Sequence, residues 1–367
     1  MHVIDLGIIV LYLVAVVIAG LWFGRRQKTT AQYFLAGHGV PWWAIAASIV
    51  ATETSTVTFI SVPGIAYASG GDFRFLQIVF GYIVARLIIS TVFMPWYFRG
   101  ELVTVYQLLQ TRFGMSVKAL AASLFVVMRT IADGVRLLLT GFVVAAVFRS
   151  LGAADIAVTS SVIGLGVVMI VFTLIGGIEA VVWIEVVQLL IYIGGAIAAA
   201  VILLGDVGFS EAVALASTNG KFRVFDFGFD LTNTYSFWAG LIGGTFLTMS
   251  THGTDQYMVQ RYLCTDRPRN AAKALLASAA AVLVQFTGFL FIGVLLFAFY
   301  RPDRLAAYAS VGSAAPFGAA DQVFPDFITN HLPVGLSGLV VAAILAAAMS
   351  SSLSAIASTV VADLYTP

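Results

Sequence analysis

Hydrophobic residues come in long runs along the whole chain, each near the roughly 20 residues that an α-helix needs to cross a bilayer. The run lengths predict about nine spans, over residues 3–24, 42–70, 73–97, 118–148, 157–177, 181–205, 235–258, 274–300 and 334–361. Two spans carry polar interruptions. The second holds Ala51-Thr52-Glu53-Thr54-Ser55-Thr56 at its middle, then Pro63-Gly64. The seventh holds Gly240, Gly243 and Gly244, then Ser250-Thr251-His252-Gly253-Thr254-Asp255. β-Branched, hydroxyl and glycine residues together form helix poorly. Unwound backbone at membrane depth needs protein or a wet cavity around it. Broken helices at matching positions of two halves point to an inverted-repeat carrier. The competing reading is two kinked helices packed through small residues, which leaves Glu53 and Asp255 each in need of a partner.

Composition agrees with a polytopic helical membrane protein. Only 10% of the 367 residues are charged, against about a quarter in soluble domains. The net charge of +1 and the lack of a basic patch with interleaved aromatics give no sign of a nucleic-acid partner. A single cysteine, Cys264, excludes an internal disulfide and a cysteine-rich metal site. The four histidines lack metal-ligand spacing, and no obligate protein partner is evident. The first run lacks a small-residue cleavage site and reads as a retained span. Basic residues set the orientation. Arg25, Arg26 and Lys28, then Arg99, Arg112 and Lys118, then Arg261, Arg267, Arg269 and Lys273 all fall in loops on one side. That side is expected to be cytoplasmic, with the N-terminus and the connections 206–234 and 301–333 outside. Trp42, Trp43, Trp96 and Tyr97 stand at span ends, where amphipathic rings anchor at the headgroups.

Several polar residues fall at membrane depth, where they are costly unless paired or used. The sharpest group is Ala346-Ala347-Ala348-Met349-Ser350-Ser351-Ser352-Leu353-Ser354 in the last span. Ser350 and Ser351 lie one turn beyond Ala347, so its carbonyl and two hydroxyls can converge. Carbonyls of Ala51 and Thr54 from an unwound second span would complete a shell of about five oxygens, which suits Na⁺. The alternative is a small-residue helix interface held by hydroxyls. Glu53 holds a substrate hydroxyl or cation, carries a proton, or pairs with a buried arginine. Arg129, Asp133 and Arg136 are spaced by four and three and share one helical face. One acid between two bases leaves an excess positive charge, open to an anionic substrate, to Glu53 or to a network that includes Arg86. Glu185 either supplies a cation site or caps its helix. His252 reads as a hydrogen-bonded packing residue, and Gln77 opens a span that borders the expected cavity.

With these residues in place, the chain resembles the sodium:solute symporter family, which contains bacterial galactose, proline and sialic acid symporters. Tyr33-Phe34-Leu35-Ala36-Gly37 followed by Pro41-Trp42-Trp43 is similar to the entry to the family's first core helix. Gly176-Gly177-Ile178-Glu179-Ala180-Val181-Val182-Trp183-Ile184-Glu185-Val186-Val187-Gln188 resembles its glycine-glycine, tryptophan-x-acid, glutamine segment. Asp255-Gln256-Tyr257-Met258-Val259-Gln260-Arg261 resembles the run that ends its sixth core helix, and Ala347 to Ser351 its sodium-binding alanine and serines.

The resemblance implies an all-α LeuT-type fold with one extra N-terminal helix, so that spans two to nine become core helices one to eight. It implies one transmembrane transporter domain over residues 1–367, C-terminally incomplete against a ten-helix repeat. It implies a Na⁺ site of Ala51, Thr54, Ala347, Ser350 and Ser351. A second Na⁺ would use Glu185 and Ser354, with Leu353 where a further serine is usual. Substrate contacts fall on Glu53, Asp255 and Tyr257, with Gln77 beside them. The expected function is secondary active uptake of a small polar organic solute, driven by Na⁺ through alternating access across the bacterial inner membrane. The alternatives are a transporter-like nutrient sensor without net flux and a proton-coupled carrier using Glu53 or Glu185. No nucleophile, metal or phosphate-binding constellation suggests an enzyme.

Overall fold

The computed structural model describes residues 2–25, 27–100, 102–150, 158–229, 233–300, 319–348 and 352–365. All regular structure among them is helical. The principal helices are α1 (Val3–Gly24), α2 (Trp42–Glu53), α3 (Thr56–Tyr67), α4 (Leu76–Tyr97), α5 (Met115–Ser150), α6 (Val158–Val207) and α7 (Phe209–Thr218). They continue as α8 (239–254), α9 (Gln256–Leu263), α10 (Pro268–Phe299), α11 (Val323–Asn330), α12 (Leu336–Ala348) and α13 (Ser352–Tyr365).

Five helical stretches among the described residues are long and apolar enough to cross a membrane alone: Val3–Gly24, Leu76–Tyr97, Met115–Leu138, Thr173–Val207 and Pro268–Phe299. The remaining expected spans are assembled from shorter pieces. The second is α2 plus α3, the seventh α8 plus α9, and the last α12 plus α13. The fifth and sixth meet at Gly177, whose φ of 58° and ψ of −170° interrupt an otherwise helical run. A side chain there would be strained by that φ and would strike Gln27 and the Tyr33 carbonyl.

The two interruptions expected at membrane depth are real. α2 stops at Glu53, Thr54 takes φ −78° and ψ 60°, and Ser55 caps α3 by accepting from Thr58 N–H. Thr54 Oγ1 also bonds back to the Val50 carbonyl at 2.7 Å, the local competition that loosens a helix at hydroxyl residues. α8 passes through a π-helical turn, Met249–Thr254, and stops at Asp255, which is extended (φ −90°, ψ 122°) and caps α9 through Tyr257 N–H. Gly240 and Gly244 of α8 serve packing instead of breakage, while Gly243 faces open space. A Cβ on Gly240 would stand 2.6 Å from the Gln77 carbonyl carbon, and one on Gly81 would stand 2.5 Å from the Gly240 carbonyl oxygen. α4 and α8 therefore touch backbone to backbone, as small residues permit in membranes.

α10 runs against both halves of the first broken span, and α1 packs on α6 and α12. Phe59 on α3 is fully buried among Tyr192, Phe289 and Phe324, with ring centroids 5.2–5.3 Å apart. Trp42, Trp43 and Trp96 are exposed at span ends, and Arg99 lies 4.1 Å over the Trp96 ring. This packing leaves a cavity between the two breaks.

Candidate functional site

The cavity has a volume of about 440 Å³ and is walled by both halves of the two broken spans and by α5. Glu53, at the last turn of α2, faces it. Arg86 on α4 donates to Glu53 Oε1, and His252 Nε2 lies 3.1 Å from the same oxygen. Arg86 is fully buried and also donates to Ser278 Oγ at 3.2 Å. His252 Nδ1 is 3.0 Å from the Thr251 hydroxyl. The triad thus ties both breaks to α4 and α10. Glu53 Oε2 has no hydrogen-bond partner among the described residues.

Arg129, Asp133 and Arg136 share the cavity face of α5, as their spacing requires. Asp133 Oδ1 stands 3.6 Å from Arg129 Nε and 4.0 Å from Arg136 Nη1. Asp255 Oδ2 comes within 3.8 Å of Arg129 Nη1 and supplies the second acid that α5 lacks. The Arg129 guanidinium lies 3.5 Å over the Tyr257 ring, a favourable cation–π position. Its Nε and Nη2 make no hydrogen bond among the described residues, although the side chain is only 12% exposed. The ion pairs around it are too long to be hydrogen bonds, so its planar donor fork is unspent.

Behind the cavity lies a second buried cluster. Arg261 Nη2 donates to Glu185 Oε1 and to Thr52 Oγ1, both at 2.7 Å, and Arg261 Nε donates to Ser48 Oγ at 3.0 Å. Ser48 Oγ donates to the other Glu185 oxygen, and Arg261 Nη1 to the Tyr257 carbonyl. This network joins α2, α6 and α9, and its carboxylate is fully engaged.

Of the residues expected to meet substrate, Glu53, Asp255 and Tyr257 converge on the cavity. Gln77 does not. It is fully buried near the opposite end of α4. Its Nε2 donates to the Tyr235 carbonyl at 2.7 Å, and its Oε1 accepts from Asp226 N–H at 2.9 Å. Glu53 is met by Arg86 and His252 and not by the arginines of α5. Glu185 is held by Arg261, and Ser354 Oγ accepts from Gln260 Nε2 at 3.2 Å. Ser350 and Ser351 lie outside the described residues. Ala51 and Thr54 stand at the end of α2, where the last helical bond runs from Thr54 N–H to the Val50 carbonyl at 2.9 Å. The carbonyls of Ala51 and Thr54 thus lie past that last bond, and backbone carbonyls freed in this way are the kind of oxygen a Na⁺ shell uses. Residue reading missed Gln285, whose side-chain amide lies 3.0 Å from Thr54 Oγ1 at the break. A glutamine within the apolar run of α10 was the available signal.

The model of the sodium:solute symporter family matches residues 33–367. The sodium/sialic acid symporter of Proteus mirabilis is 30% identical, over 97% of this chain and 70% of its own length. That of Aliivibrio fischeri is 32% identical, over 96% of this chain and 68% of its own. A solved Na⁺-coupled sialic acid symporter, substrate-bound and outward-open, superposes with a TM-score of 0.87 at 29% identity, covering all of this chain and 74% of the other. The expected LeuT-type architecture stands on that match. The chain belongs to the sodium:solute symporter family and is a Na⁺-coupled carrier of a small organic solute, not an enzyme.

Proposed function

We infer that the solute bears a carboxylate and that Arg129 receives it. One observation carries this reading: a nearly buried guanidinium faces the cavity, is held flat on Tyr257, and has two nitrogens without a hydrogen-bond partner among the described residues. Arginine's rigid fork suits a carboxylate. The free oxygen of Glu53 across the cavity accepts a hydroxyl or amide N–H from the same solute. Two relatives at 30% and 32% identity are sialic acid symporters, and sialic acid carries both kinds of group.

Na⁺ binds at the first break, through the carbonyls of Ala51, Thr54 and Ala347 and the hydroxyls of Ser350 and Ser351. It holds α2 against the last span and so shapes the cavity. Ion and solute then favour the same conformation, which is the thermodynamic content of coupling. The whole chain acts as one transmembrane domain in the bacterial plasma membrane, with its N-terminus outside, as the basic loops direct.

The test is uptake into proteoliposomes of radiolabelled sialic acid under an inward Na⁺ gradient, with competing solutes. Accumulation that collapses in K⁺, is blocked by free acids and is spared by their methyl esters is the expected result. Equal competition by acid and ester would overturn the carboxylate assignment. Uptake that follows a proton gradient without Na⁺ would overturn the coupling ion.

A further inference from the structure

The connection after α7 holds three phenylalanines in alternation, Phe225-Asp226-Phe227-Gly228-Phe229. Burial alternates along residues 222–227, so successive side chains face opposite sides. One parity faces the protein. Phe222 packs on Phe73 with centroids 5.6 Å apart, and Val224 also packs on the core. Asp226 is held by Arg74 at 3.2 Å, and its N–H by Gln77 at 2.9 Å. Its carbonyl accepts from Phe237 N–H at 2.7 Å, and the Arg223 carbonyl accepts from Phe73 N–H at 3.0 Å. The strip is therefore fixed in place.

The other parity faces outward. Phe225, Phe227 and Phe229 are 48%, 62% and 78% exposed. The first two join a continuous ring surface: Phe225 stacks on Phe80 at 5.8 Å and on Phe227 at 5.5 Å, and Phe227 meets Phe237 at 4.9 Å. Phe237 then abuts Trp238 at 5.2 Å.

Both ends of that surface run into the flanks of membrane spans. Trp238 opens an exposed stripe on α8 that continues through Ile242 and Phe246 at one helical turn each. Half-buried Phe80 leads into another on α4, formed by exposed Val84 and Leu87. The ring strip crosses the ends of the two stripes with no polar break. Exposed apolar patches of this kind mark a contact surface. Arg223, 53% exposed at its edge, turns its guanidinium back to Asp226 at 3.3 Å, so no unpaired charge interrupts the apolar strip.

We propose that residues 222–229 form an aromatic strap lying in the headgroup–acyl boundary of the bilayer, in the leaflet away from the basic loops. Continuity with the lipid-facing stripes selects lipid over a second copy of the chain. So does size: three half-exposed rings offer roughly 300–400 Å², against about 800 Å² per partner in a stable dimer. Through Gln77, which also bonds the Tyr235 carbonyl, the strap pins the adjoining ends of α4 and α8 to the membrane surface. The choice of leaflet rests on the orientation inferred above, while the depth of the rings does not.

Spin labels test the depth. The single native cysteine, Cys264, is buried, so Phe227→Cys and Phe229→Cys are labelled separately in the full chain in nanodiscs. Collision with oxygen is compared with collision with a water-soluble nickel chelate. Ile242→Cys is the lipid reference and Glu211→Cys, exposed on α7, the aqueous one. The expected result is an oxygen-to-nickel ratio at least threefold above that of position 211 at both strap positions. A ratio equal to that of position 211 would place the strap in water and overturn the proposal. Dipolar broadening that disappears on dilution with unlabelled protein would assign the surface to a second copy and overturn it equally. Adding the chelate to one side of sealed vesicles reads the leaflet, so an orientation error is told apart from an error of depth.

Discussion

Two buried clusters in this protein use the same ingredients to opposite ends. Around Arg261, a guanidinium, the Glu185 carboxylate and the Ser48 and Thr52 hydroxyls meet at hydrogen-bond distance. Around the cavity, Arg129 stands 3.6 Å and 3.8 Å from its acids with two nitrogens unbonded, and Glu53 keeps one oxygen free, among the described residues. A satisfied network joins helices and has no bonds left to offer. An unsatisfied one is costly in the empty protein and gains most when a ligand supplies the missing partners. The difference separates structural charge from binding charge better than burial does, since both arginines are largely buried.

The largest effect that would break the comparison is on folding. Arg261→Ala strands the Glu185 carboxylate and is expected to cost about 3–5 kcal/mol, seen as a steep fall in thermal stability in detergent. Arg261→Met with Glu185→Leu removes both charges and should recover most of it. A single variant as stable as the parent would mean the network is not structural. Next comes Arg129→Met. Solute affinity should fall about 10–100-fold, for a charge-assisted bond worth roughly 1.5–3 kcal/mol, while stability changes little. Calorimetric titration beside a melting curve separates the two, and equal losses in both would erase the distinction between clusters.

Glu53→Gln should fall between these. It leaves buried Arg86 with Ser278 and a neutral amide, so stability and solute affinity should both drop, each less than in the respective extreme. Melting and binding on the same sample give that ordering directly. The smallest effect concerns another buried cation, one that has bonds but no counter-charge in contact among the described residues. Lys221 Nζ donates to the carbonyls of Ala66, Tyr67 and Ala68, at 2.9, 3.2 and 2.6 Å, and so caps the end of α3. Burial pulls its ammonium down to about 8, with Asp72 opposing. The folded chain then holds fewer protons than the unfolded one between that value and the ordinary lysine range. Stability attributable to Lys221 should rise with pH across that window. The pH slope of the melting temperature in the parent, minus that in Lys221→Met, measures it, and a difference of zero or opposite sign would show the ammonium fully compensated.

Much of this was readable in advance, for local reasons. Apolar run length reports bilayer thickness directly, and Glu53-Thr54-Ser55 and Asp255 marked the breaks because hydroxyl and acidic side chains compete with the helical ladder where they stand. Arg129, Asp133 and Arg136 share a face by helical period alone. Partner choice was not readable. Glu53 had Arg86, Arg129 and Arg136 as equal candidates in sequence, and only the packing of α4 beside α2 selects Arg86. Gln77 was placed at the cavity from its position in a span, yet a carbonyl from a distant loop takes its amide. Gly240 and Gly244 of α8 resembled helix breakers and are contact points, a distinction that exists only once a second backbone lies against them.

The sequence by itself therefore determined the spans, the two interruptions and the side chains that share each helical face, because these depend on neighbours within a turn or two. The tertiary structure alone decided which charges are satisfied and which remain available to a solute. That depends on ångström differences between helices far apart in the chain, and in a low-dielectric interior such differences separate a closed ion pair from an open binding site.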